Sequence, residues 1–524
     1  MEDKEKFDSK NIPAEKFRFV NQDASIHDTK FDTKPIGYMH DAMRRFCKSK
    51  SAVVAAIIIA LIILFALIMP LCTSYDSKFI DANYAKKGPR NLALSNIGIA
   101  DGTVSRDCNE RTLMLYIGIG MAAEDYDGAG TVTSVQGIES YYQPFKKVNS
   151  TKKENGNTVY NIKLETYYEV GFMYKQVQQS EYAKIVEWQN ETGIQVLYPM
   201  IAENEYCLDT ENANYWYKTG AKLAPIRVNA DGTTSQIKYN DGKFSLDDNY
   251  MRDSDGKPVY YKYHGGGSSV ESAEYRVRVL YYNYYRYLNG FEPEYIFGTD
   301  SQGYDLALRM ANGIRLSLIV ALAVSVINLI LGAIYGALEG YYGGKVDLIL
   351  ERVADILSGL PFIVLATLFQ LHLAAKWGVV PSLLFAFVLT GWIGMASRVR
   401  TQFYRYKNQE YVLAARTLGA KDRRIIWKHI FPNALGTIIT SAALVIPSVI
   451  FSESMLSFLG IVNLGGAETT SLGTLLSDAS SIWTLYPHLM IFPAIVISLL
   501  MICFNLFGNG LRDAFNPSLR GSEG

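Results

Sequence analysis

The sequence of 524 residues lacks several features that mark common classes of enzyme and binding protein. No stretch follows the pattern G-x-x-x-x-G-K-[ST], so the chain has no phosphate-binding loop of its own. The 6 histidines are scattered without the spacing of a zinc site, and no metal site is predicted. The 51 basic residues are balanced by 51 acidic residues, so net charge gives no reason to expect nucleic-acid binding. No nucleophilic triad is apparent either, and the chain is predicted not to be an enzyme.

Cysteine is also scarce, with 5 residues in the whole chain. Cys108 and Cys207 fall in the long polar region, whereas the other cysteines lie near or inside apolar runs. On the outer side of a membrane this pair can form a disulfide, because oxidising compartments preserve such bonds. Two buried free thiols are the alternative, and the sequence does not decide between them.

Long apolar runs, by contrast, are abundant. Residues 51–71 carry no charge, and about 20 apolar residues are enough for a helix to cross the hydrocarbon layer. This run is longer than the apolar core of a signal peptide and starts further from the N-terminus, so it is predicted to remain as a span. Five further spans are predicted at residues 316–338, 349–374, 381–395, 434–458 and 489–507.

The positions of lysine and arginine predict the orientation of these spans. Four basic residues lie within residues 44–50, which places the N-terminus in the cytoplasm by the positive-inside rule. With six spans, residues 396–433 lie on the same side and carry nine basic residues, whereas residues 461–484 carry none. The C-terminus is then cytoplasmic as well, and residues from about 74 to 313 are extracytoplasmic.

The predicted fold class is an all-α polytopic membrane protein with a large β-rich extracytoplasmic domain between its first and second helices. The predicted segments are 1–50, cytoplasmic; 51–73, first span; 74–297, inserted domain; 298–513, helical core with five spans; and 514–524, cytoplasmic tail. Residues 37–50 fit either a helix lying along the membrane surface or a plain charged anchor.

The inserted region shows strand and hairpin patterns. Tyr160, Ile162 and Leu164 alternate with polar residues, which is typical of a strand with one buried face. Asn-Gly or Asp-Gly pairs predict turns at residues 155–156, 231–232, 241–242 and 255–256. The last of these resembles part of a calcium loop, but Met251 and Lys262 replace the first and last ligands, so a turn alone is predicted.

Two features of the inserted region leave alternatives open. Residues 276–290 fit a strand or a helix leading back to the membrane, and their periodicity does not decide between the two. The region is also rich in tyrosine, which predicts a contact surface for a partner protein because tyrosine is enriched at interfaces. Tyrosines that fill the core of the domain are the alternative.

Residues 408–433 form a polar and basic interruption between two apolar runs. Residues 410–418 are alanine-rich and favour a helix, and Gly419 permits a tight turn. Residues 421–430 fit a second short helix, and Pro432 suits the first turn of the following span. One side of that second helix would consist of Ile425, Ile426 and Ile430. The pattern predicts a helix–turn–helix knuckle projecting into the cytoplasm; a merely basic loop would explain the arginines but not this spacing.

The same stretch resembles the cytoplasmic "EAA" loop of ABC importer permeases. Its E-Y-x-x-A-A-R-x-L-G-A, followed by I-I-x-x-H-I-x-P-N, is similar to that of the oligopeptide, dipeptide and nickel importers, in particular their second permease subunit. Other segments that resemble this subunit lie at residues 297–318, 340–362, 453–460 and 508–517. Tyr304, Leu413 and His429 depart from the family pattern, and the long inserted region has no counterpart in typical relatives.

The resemblance implies that the loop docks on a cytoplasmic ATPase and transmits its closure to the spans. The residues implied in this docking are Glu410, Tyr411, Ala414, Ala415, Arg416, Gly419, Ala420, Ile430 and Pro432. It further implies that ATP and magnesium are bound by two separate ATPase subunits, with no cofactor on this chain. The other implied partners are a second homologous permease, an extracytoplasmic peptide-binding lipoprotein and membrane lipid.

The function implied by the resemblance is import of oligopeptides or dipeptides across a bacterial cytoplasmic membrane. Nickel or another small solute is the alternative cargo within the family. A membrane-anchored ligand sensor is the alternative from another class, but it would need a cytoplasmic signalling domain, for which neither predicted cytoplasmic terminus is long enough.

Three carboxylates are candidates for the translocation path or the outer gate: Glu453, Asp300 and Asp305. Glu453 lies late in the fifth predicted span, where a carboxylate usually faces a cavity or a partner rather than lipid. Ordinary polar contacts at the outer interface are the alternative. Asp300 and Asp305 belong to the segment at residues 297–318 that resembles the family.

Overall fold

The computed structural model describes residues 38–95, 97–124, 142–154, 156–203, 211–217, 226–228, 234–236, 249–265, 273–466 and 470–515. Its helices are α1 (Tyr38–Lys48), α2 (Lys50–Cys72), α3 (Leu92–Ser95), α4 (Glu110–Glu124), α5 (Gln179–Thr192), α6 (Tyr281–Asn289), α7 (Leu306–Tyr342), α8 (Gly344–Ser358), α9 (Phe362–Trp377), α10 (Val379–Gly391), α11 (Ile393–Tyr406), α12 (Glu410–Thr417), α13 (Asp422–Arg424), α14 (Phe431–Ala443), α15 (Val445–Phe458), α16 (Leu472–Ala479) and α17 (His488–Phe515). Its strands are β1 (Thr103–Asn109), β2 (Phe145–Glu154), β3 (Asn157–Glu165), β4 (Phe172–Gln178), β5 (Leu197–Tyr198), β6 (Ile226–Val228), β7 (Thr234–Gln236), β8 (Tyr261–Gly265) and β9 (Glu274–Leu280).

Five helical stretches among the described residues are long and apolar enough to cross a membrane. They are Lys50–Cys72, Leu306–Tyr342, Val379–Tyr406, Asp422–Phe458 and His488–Phe515. The pair α8 and α9 meets the same test only together and is bent by 72°, so there are up to six spans. All six predicted runs lie within these elements, which confirms a helical, polytopic membrane core.

The bend between α8 and α9 corrects the prediction of one continuous span at residues 349–374. Helix α8 ends at Ser358, and Pro361 stands directly before α9. A proline disfavours helical backbone at the residue before it, here Leu360, so the helix stops and restarts in a new direction. The chemistry of residues 359–361 therefore interrupts an otherwise apolar run.

A stripe of small residues lets α7 pack tightly against α11. Gly332, Gly336 and Gly340 recur every fourth residue and share one face of α7. A Cβ atom at Gly336 would lie 2.1 Å from the backbone oxygen of Ala396, and one at Gly332 would lie 2.6 Å from Cβ of Met395. Without side chains at these positions the two backbones can approach closely, as small residues allow in membrane helices.

The inserted region is a mixed α/β structure, so its predicted β-rich character is not confirmed. Its sheets have the strand orders β1-β3-β2, β4-β9-β5 with β8 also on β9, and β6-β7. Helices α4 and α5 belong to the same region, and Ile117 of α4 and Ile185 of α5 are fully buried. Strand alternation identified β3 but gave no information on these helices.

Several local predictions for the inserted region are confirmed. Tyr160, Ile162 and Leu164 of β3 are buried. Glu154 pairs with Asn157 across the predicted turn, where Gly156 has a φ of +80°. The stretch at residues 276–290, left open between strand and helix, contains both: β9 ends at Leu280 and α6 begins at the next residue. The turns predicted at residues 231–232 and 241–242 lie outside the described residues.

Many of the described tyrosines in this region lie in its core, although Tyr261 and Tyr263 are exposed. The tyrosines that are less than 2% exposed are Tyr84, Tyr167, Tyr198, Tyr217, Tyr282, Tyr285 and Tyr295. Many of their rings are in contact; the rings of Tyr75 and Tyr295, for example, stack with centroids 4.4 Å apart. These positions follow the alternative in which tyrosines fill the core of the domain, so the prediction of a tyrosine contact surface is wrong for them.

The inserted region rests directly on the helical core. The amide of Lys86 donates to Asp300 O at 2.9 Å just before α7, and Thr73 at the end of α2 donates its hydroxyl to Asp305 Oδ2 at 3.3 Å. The cationic groups of Lys86 and Arg106 lie 5.8 and 5.5 Å from the ring centroid of Tyr486, just before α17. The helical core and the inserted region therefore meet at the ends of three helices.

Candidate coupling site

The first element of the knuckle at residues 408–433 is helix α12, and a tight turn at a glycine caps the C-terminus of this helix. The amide of Gly419 donates to Arg416 O at 3.0 Å, and the amide of Ala420 donates to Ala415 O at 3.0 Å. These paired bonds are those of a Schellman motif, which requires a left-handed residue after the helix. Gly419 supplies it with a φ of +79°. The predicted helix and turn are therefore confirmed.

The second half of the knuckle differs from the prediction. Instead of a separate short helix, residues 422–458 form one 37-residue helical stretch. A π-helical turn, Ile425–Ile430, joins α13 to α14, and the amide of Phe431 bonds to Ile426 O. Pro432 has no N–H to donate and its ring crowds the preceding turn, which explains why the helix widens here rather than ending.

The root of the knuckle is buried against the helical core. Val412, Ile425 and Ile430 are fully buried, and they pack with Val399 and Phe403 of α11. The predicted apolar face of the second half is therefore confirmed. Because the root is packed on both sides, a force on the knuckle would move α11 and α14 with it.

The tip of the knuckle, in contrast, is exposed. Leu418, which directly follows α12, is 89% exposed. Among the residues implied in docking, those exposed are Glu410, Tyr411, Ala414, Arg416, Gly419 and Pro432, whereas Ala415 and Ala420 are half-buried and Ile430 is buried. The set implied by resemblance thus divides into an outer surface and an inner support. Leu418 was missing from that set, although its place beside the glycine cap could have identified it.

Polar bonds tie the knuckle to the end of α7. Tyr341 donates its hydroxyl to Asp422 Oδ1 at 2.5 Å, and Arg416 Nη2 donates to the same hydroxyl oxygen at 3.4 Å. Asn433 Nδ2 donates to the hydroxyl of Tyr411 at 3.3 Å. Tyr341 is more than 60 residues from the knuckle in sequence, and nothing in the sequence pattern identified it.

An ion-pair clamp beside the knuckle holds α8 against α11. Arg400 donates to both oxygens of Asp347, at 2.6 and 2.8 Å, and to both oxygens of Glu351, at 2.7 and 2.9 Å. Tyr404 adds a bond to Asp347 at 2.7 Å. A guanidinium between two carboxylates is a strong, directional arrangement. No pattern in the sequence predicted this clamp.

The three candidate path carboxylates occupy different environments. Glu453 is buried where α15 meets α7 and α16, and it accepts hydroxyl bonds from Ser317 at 2.8 Å and Ser457 at 3.0 Å. Asp300 accepts three backbone N–H bonds at 2.9 Å and pairs with Arg309 Nε at 3.4 Å. Each makes bonds that fix local structure, and a role in the path stays a prediction.

Asp305 caps the first turn of α7. Its side chain accepts the amide of Ala307 at 2.9 Å. Burial raises its pKa to about 6, against the lowering effect of the hydrogen bonds that it accepts.

Cys108 is a buried free thiol whose pKa burial raises to about 11. Cys207 lies outside the described residues, so the disulfide stays a prediction.

Comparisons with known proteins agree on the membrane core. The family model "Binding-protein-dependent transport system inner membrane component" matches residues 335–521, and "N-terminal TM domain of oligopeptide transport permease C" matches residues 37–91. The oligopeptide transport system permease protein OppC of Bacillus subtilis (strain 168) is 42% identical over 237 residues, which cover 44% of this chain and 76% of that protein. The dipeptide transport system permease protein DppC of the same strain is 41% identical over 230 residues, covering 43% of this chain and 69% of that protein.

A solved structure of the MetNI methionine ABC transporter in an inward-facing conformation is also similar. Its TM-score is 0.33 and its sequence identity 16%, over 40% of this chain and 96% of the matched chain. The two family models flank residues 92–334, which they do not match. Most of the inserted region lies in this interval.

Proposed function

Because the chain belongs to the family of oligopeptide and dipeptide transport permeases, we propose that it is the membrane subunit through which an ABC importer brings peptides into the cell. The helical core provides the path, and the energy comes from ATP hydrolysed on other chains. The absence of a phosphate-binding loop in the sequence supports this division of labour. We propose no cofactor on this chain; ATP and magnesium belong to the ATPase subunits.

The observation that carries this proposal is the contrast between the tip and the root of the knuckle. Leu418 and the exposed face of α12 offer a docking surface for an ATPase subunit. The buried root connects that surface to α11 and α14, and Tyr341 connects it to α7. A movement of the ATPase would thereby reach three membrane helices, as alternating access requires.

The remaining partners in the proposal are a second homologous permease, two ATPase subunits and an extracytoplasmic peptide-binding lipoprotein. We place the knuckle and both termini in the cytoplasm of a bacterial cell and the inserted region outside it, following the distribution of basic residues. The inserted region joins α2 to α7 and contacts the residues before α17, so it stands beside the outer mouth of the path. There it would meet the lipoprotein or the outer loops of the partner permease.

Reconstitution tests the proposal. Proteoliposomes that contain both permeases and both ATPase subunits should take up a labelled oligopeptide when lipoprotein and ATP are supplied. Omitting this chain should abolish uptake, and the purified chain alone should hydrolyse no ATP. Uptake without this chain, or ATP hydrolysis by the chain alone, would refute the proposal.

A surface variant tests the docking site. Leu418→Ser removes an 89% exposed side chain, so it should leave folding intact but reduce copurification of the ATPase subunits and ATP-driven uptake. Leu288→Ser is the matched control, because Leu288 is 55% exposed on α6 in the inserted region. Equal copurification of the ATPase subunits with both variants would show that the tip is not the docking surface.

A further inference from the structure

A cavity of about 320 Å³ lies between the end of α2 and the first turns of α7. Its walls include Pro70, Tyr75, Asp76, Leu308, Asn312 and Arg315. This volume is at the lower end of the range of small-ligand sites, about 300–1,000 Å³. The cavity is remote from the knuckle, and the proposed transport function does not use it.

The ends of the apolar runs beside this cavity indicate that it lies at the depth of the lipid head groups. Pro70 is two residues from the end of α2 at Cys72, where the apolar run gives way to polar sequence. Arg315 directly precedes the apolar run at residues 316–338 within α7. Pro70 and Arg315 therefore both lie at the boundary between the hydrocarbon layer and the head groups, on the side of the membrane that carries the inserted region.

Arg315 places a guanidinium in the wall of this cavity. Its Nη2 donates to the side-chain oxygen of Asn312, and its Nε is buried without a hydrogen-bond partner. Among the residues that the structure describes, no carboxylate forms an ion pair with it. Arg309, six residues earlier, differs in that its guanidinium pairs with Asp300 at 3.4 Å. An unpaired guanidinium at this depth is costly, and an anion would compensate it.

The second charge in the cavity is the carboxylate of Asp76. Asp76 is exposed, and its Oδ1 accepts a bond from Ser77 at 3.2 Å. It forms no ion pair with Arg315 in the described structure, although both side chains line the same space. A ligand with one negative and one positive group would complement both residues. Pro70 and Leu308 add apolar walls.

We propose that this cavity binds the head group of a zwitterionic phospholipid of the ethanolamine type. The phosphodiester accepts N–H bonds from Arg315, whose planar fork matches phosphate oxygens. The ammonium lies near Asp76, and the first carbons of the lipid pack on Pro70 and Leu308. The bound lipid fills the groove between α2 and α7 at their outer ends.

Native mass spectrometry of the purified transport complex tests the proposal. The complex is incubated in detergent with phosphatidylethanolamine, phosphatidylglycerol or phosphatidylcholine, and retained lipids are counted. The wild-type complex should retain one phosphatidylethanolamine more than the Arg315→Gln complex. Arg111→Gln, which removes an exposed cation of the inserted region, should behave as wild type and is the charge-matched control.

The carboxylate provides an independent test that does not depend on the folding of an Arg315 variant. Asp76→Asn should shift retention from phosphatidylethanolamine towards phosphatidylglycerol, because the repulsion of an anionic lipid is removed. Unchanged preference in Asp76→Asn, or equal lipid retention in Arg315→Gln, would overturn the proposal. If water-soluble glycerophosphoethanolamine, which has no acyl chains, bound as well as phosphatidylethanolamine, the cavity would not be a lipid site and the proposal would be overturned. If the Arg315→Gln complex lost a protein subunit while its lipid retention stayed unchanged, the counter-ion of Arg315 would be a carboxylate of that subunit. This result would also overturn the proposal.

Discussion

Replacing Gly419 by valine should uncouple the knuckle while leaving the membrane helices intact. Gly419 has a φ of +79°, and a left-handed backbone costs an L-residue roughly 1–2 kcal/mol. A Cβ atom at this position would meet no heavy atom within 4 Å, so steric crowding adds nothing to that cost. The penalty is therefore purely conformational, and it reduces the population of the native turn by a factor of about 5–30.

A series of substitutions separates the backbone effect from the mere presence of a side chain. Asparagine enters the left-handed region more easily than other residues with a Cβ, so Gly419→Asn should stay close to wild type. Gly419→Ala should be intermediate, and Gly419→Val the most defective, because β-branched residues adopt positive φ least readily. The expected order of activity is Gly, Asn, Ala, Val.

The assay is ATP-driven peptide uptake in proteoliposomes, together with copurification of the ATPase subunits. The thermal unfolding midpoint of each purified variant serves as the control, and it should change little because the turn is exposed. Wild-type uptake by Gly419→Val would refute the reasoning. If Gly419→Asn were as defective as Gly419→Val, the side chain and not the backbone conformation would be the cause.

Three further predictions use thermal unfolding of the purified protein. Gly336→Ala should destabilise by about 1–3 kcal/mol through overpacking against α11, whereas Gly394→Ala, whose Cβ would meet open space, should not. Arg400→Gln should cost about 2 kcal/mol by removing a charge-assisted clamp, whereas Arg352→Gln, whose side chain is 73% exposed, should have little effect. Burial raises the pKa of Glu165 from 4.5 to about 6, so its stabilising contribution is complete below pH 4.5 and is lost as pH rises through 6. Glu165→Gln should therefore raise the unfolding midpoint at pH 7 but not at pH 4. Equal midpoints of wild type and Glu165→Gln at pH 7 would contradict this argument. Equal losses of stability in Gly336→Ala and Gly394→Ala, or in Arg400→Gln and Arg352→Gln, would contradict the other two.

Local sequence pattern was sufficient for much of the candidate site. The alanine-rich helix, the glycine turn and the apolar face of Ile425 and Ile430 depend on residues close together in the chain. Propensity, capping and periodicity act over that same short range, which is why these predictions are confirmed. The continuous helix through Pro432 is the exception, because a π-helical turn before it accommodates a proline that has no N–H to donate.

The sequence pattern did not predict contacts between residues that lie far apart in the chain. Arg400 meets Asp347 across 53 residues, and Tyr341 meets Asp422 across 81. Periodicity reports that a face is buried but does not say which other face covers it. For the same reason the sequence pattern favoured a surface role for the tyrosines of the inserted region, and only the assembled sheets and helices showed which of them lie in its core.

The sequence by itself determined that apolar helices cross the membrane, that the chain turns at Gly419 and which family the membrane core belongs to, because each depends on short-range pattern and composition. The tertiary structure alone decided that Gly332, Gly336 and Gly340 face α11, and that Arg315 lines a cavity in which it forms no ion pair with any described carboxylate. The hydrophobicity of a residue indicates whether it lies in the membrane or in water, and whether it lies in the protein core or on the surface. Only the packed arrangement of helices, in which backbones either meet or leave a gap, assigns each side chain its neighbours.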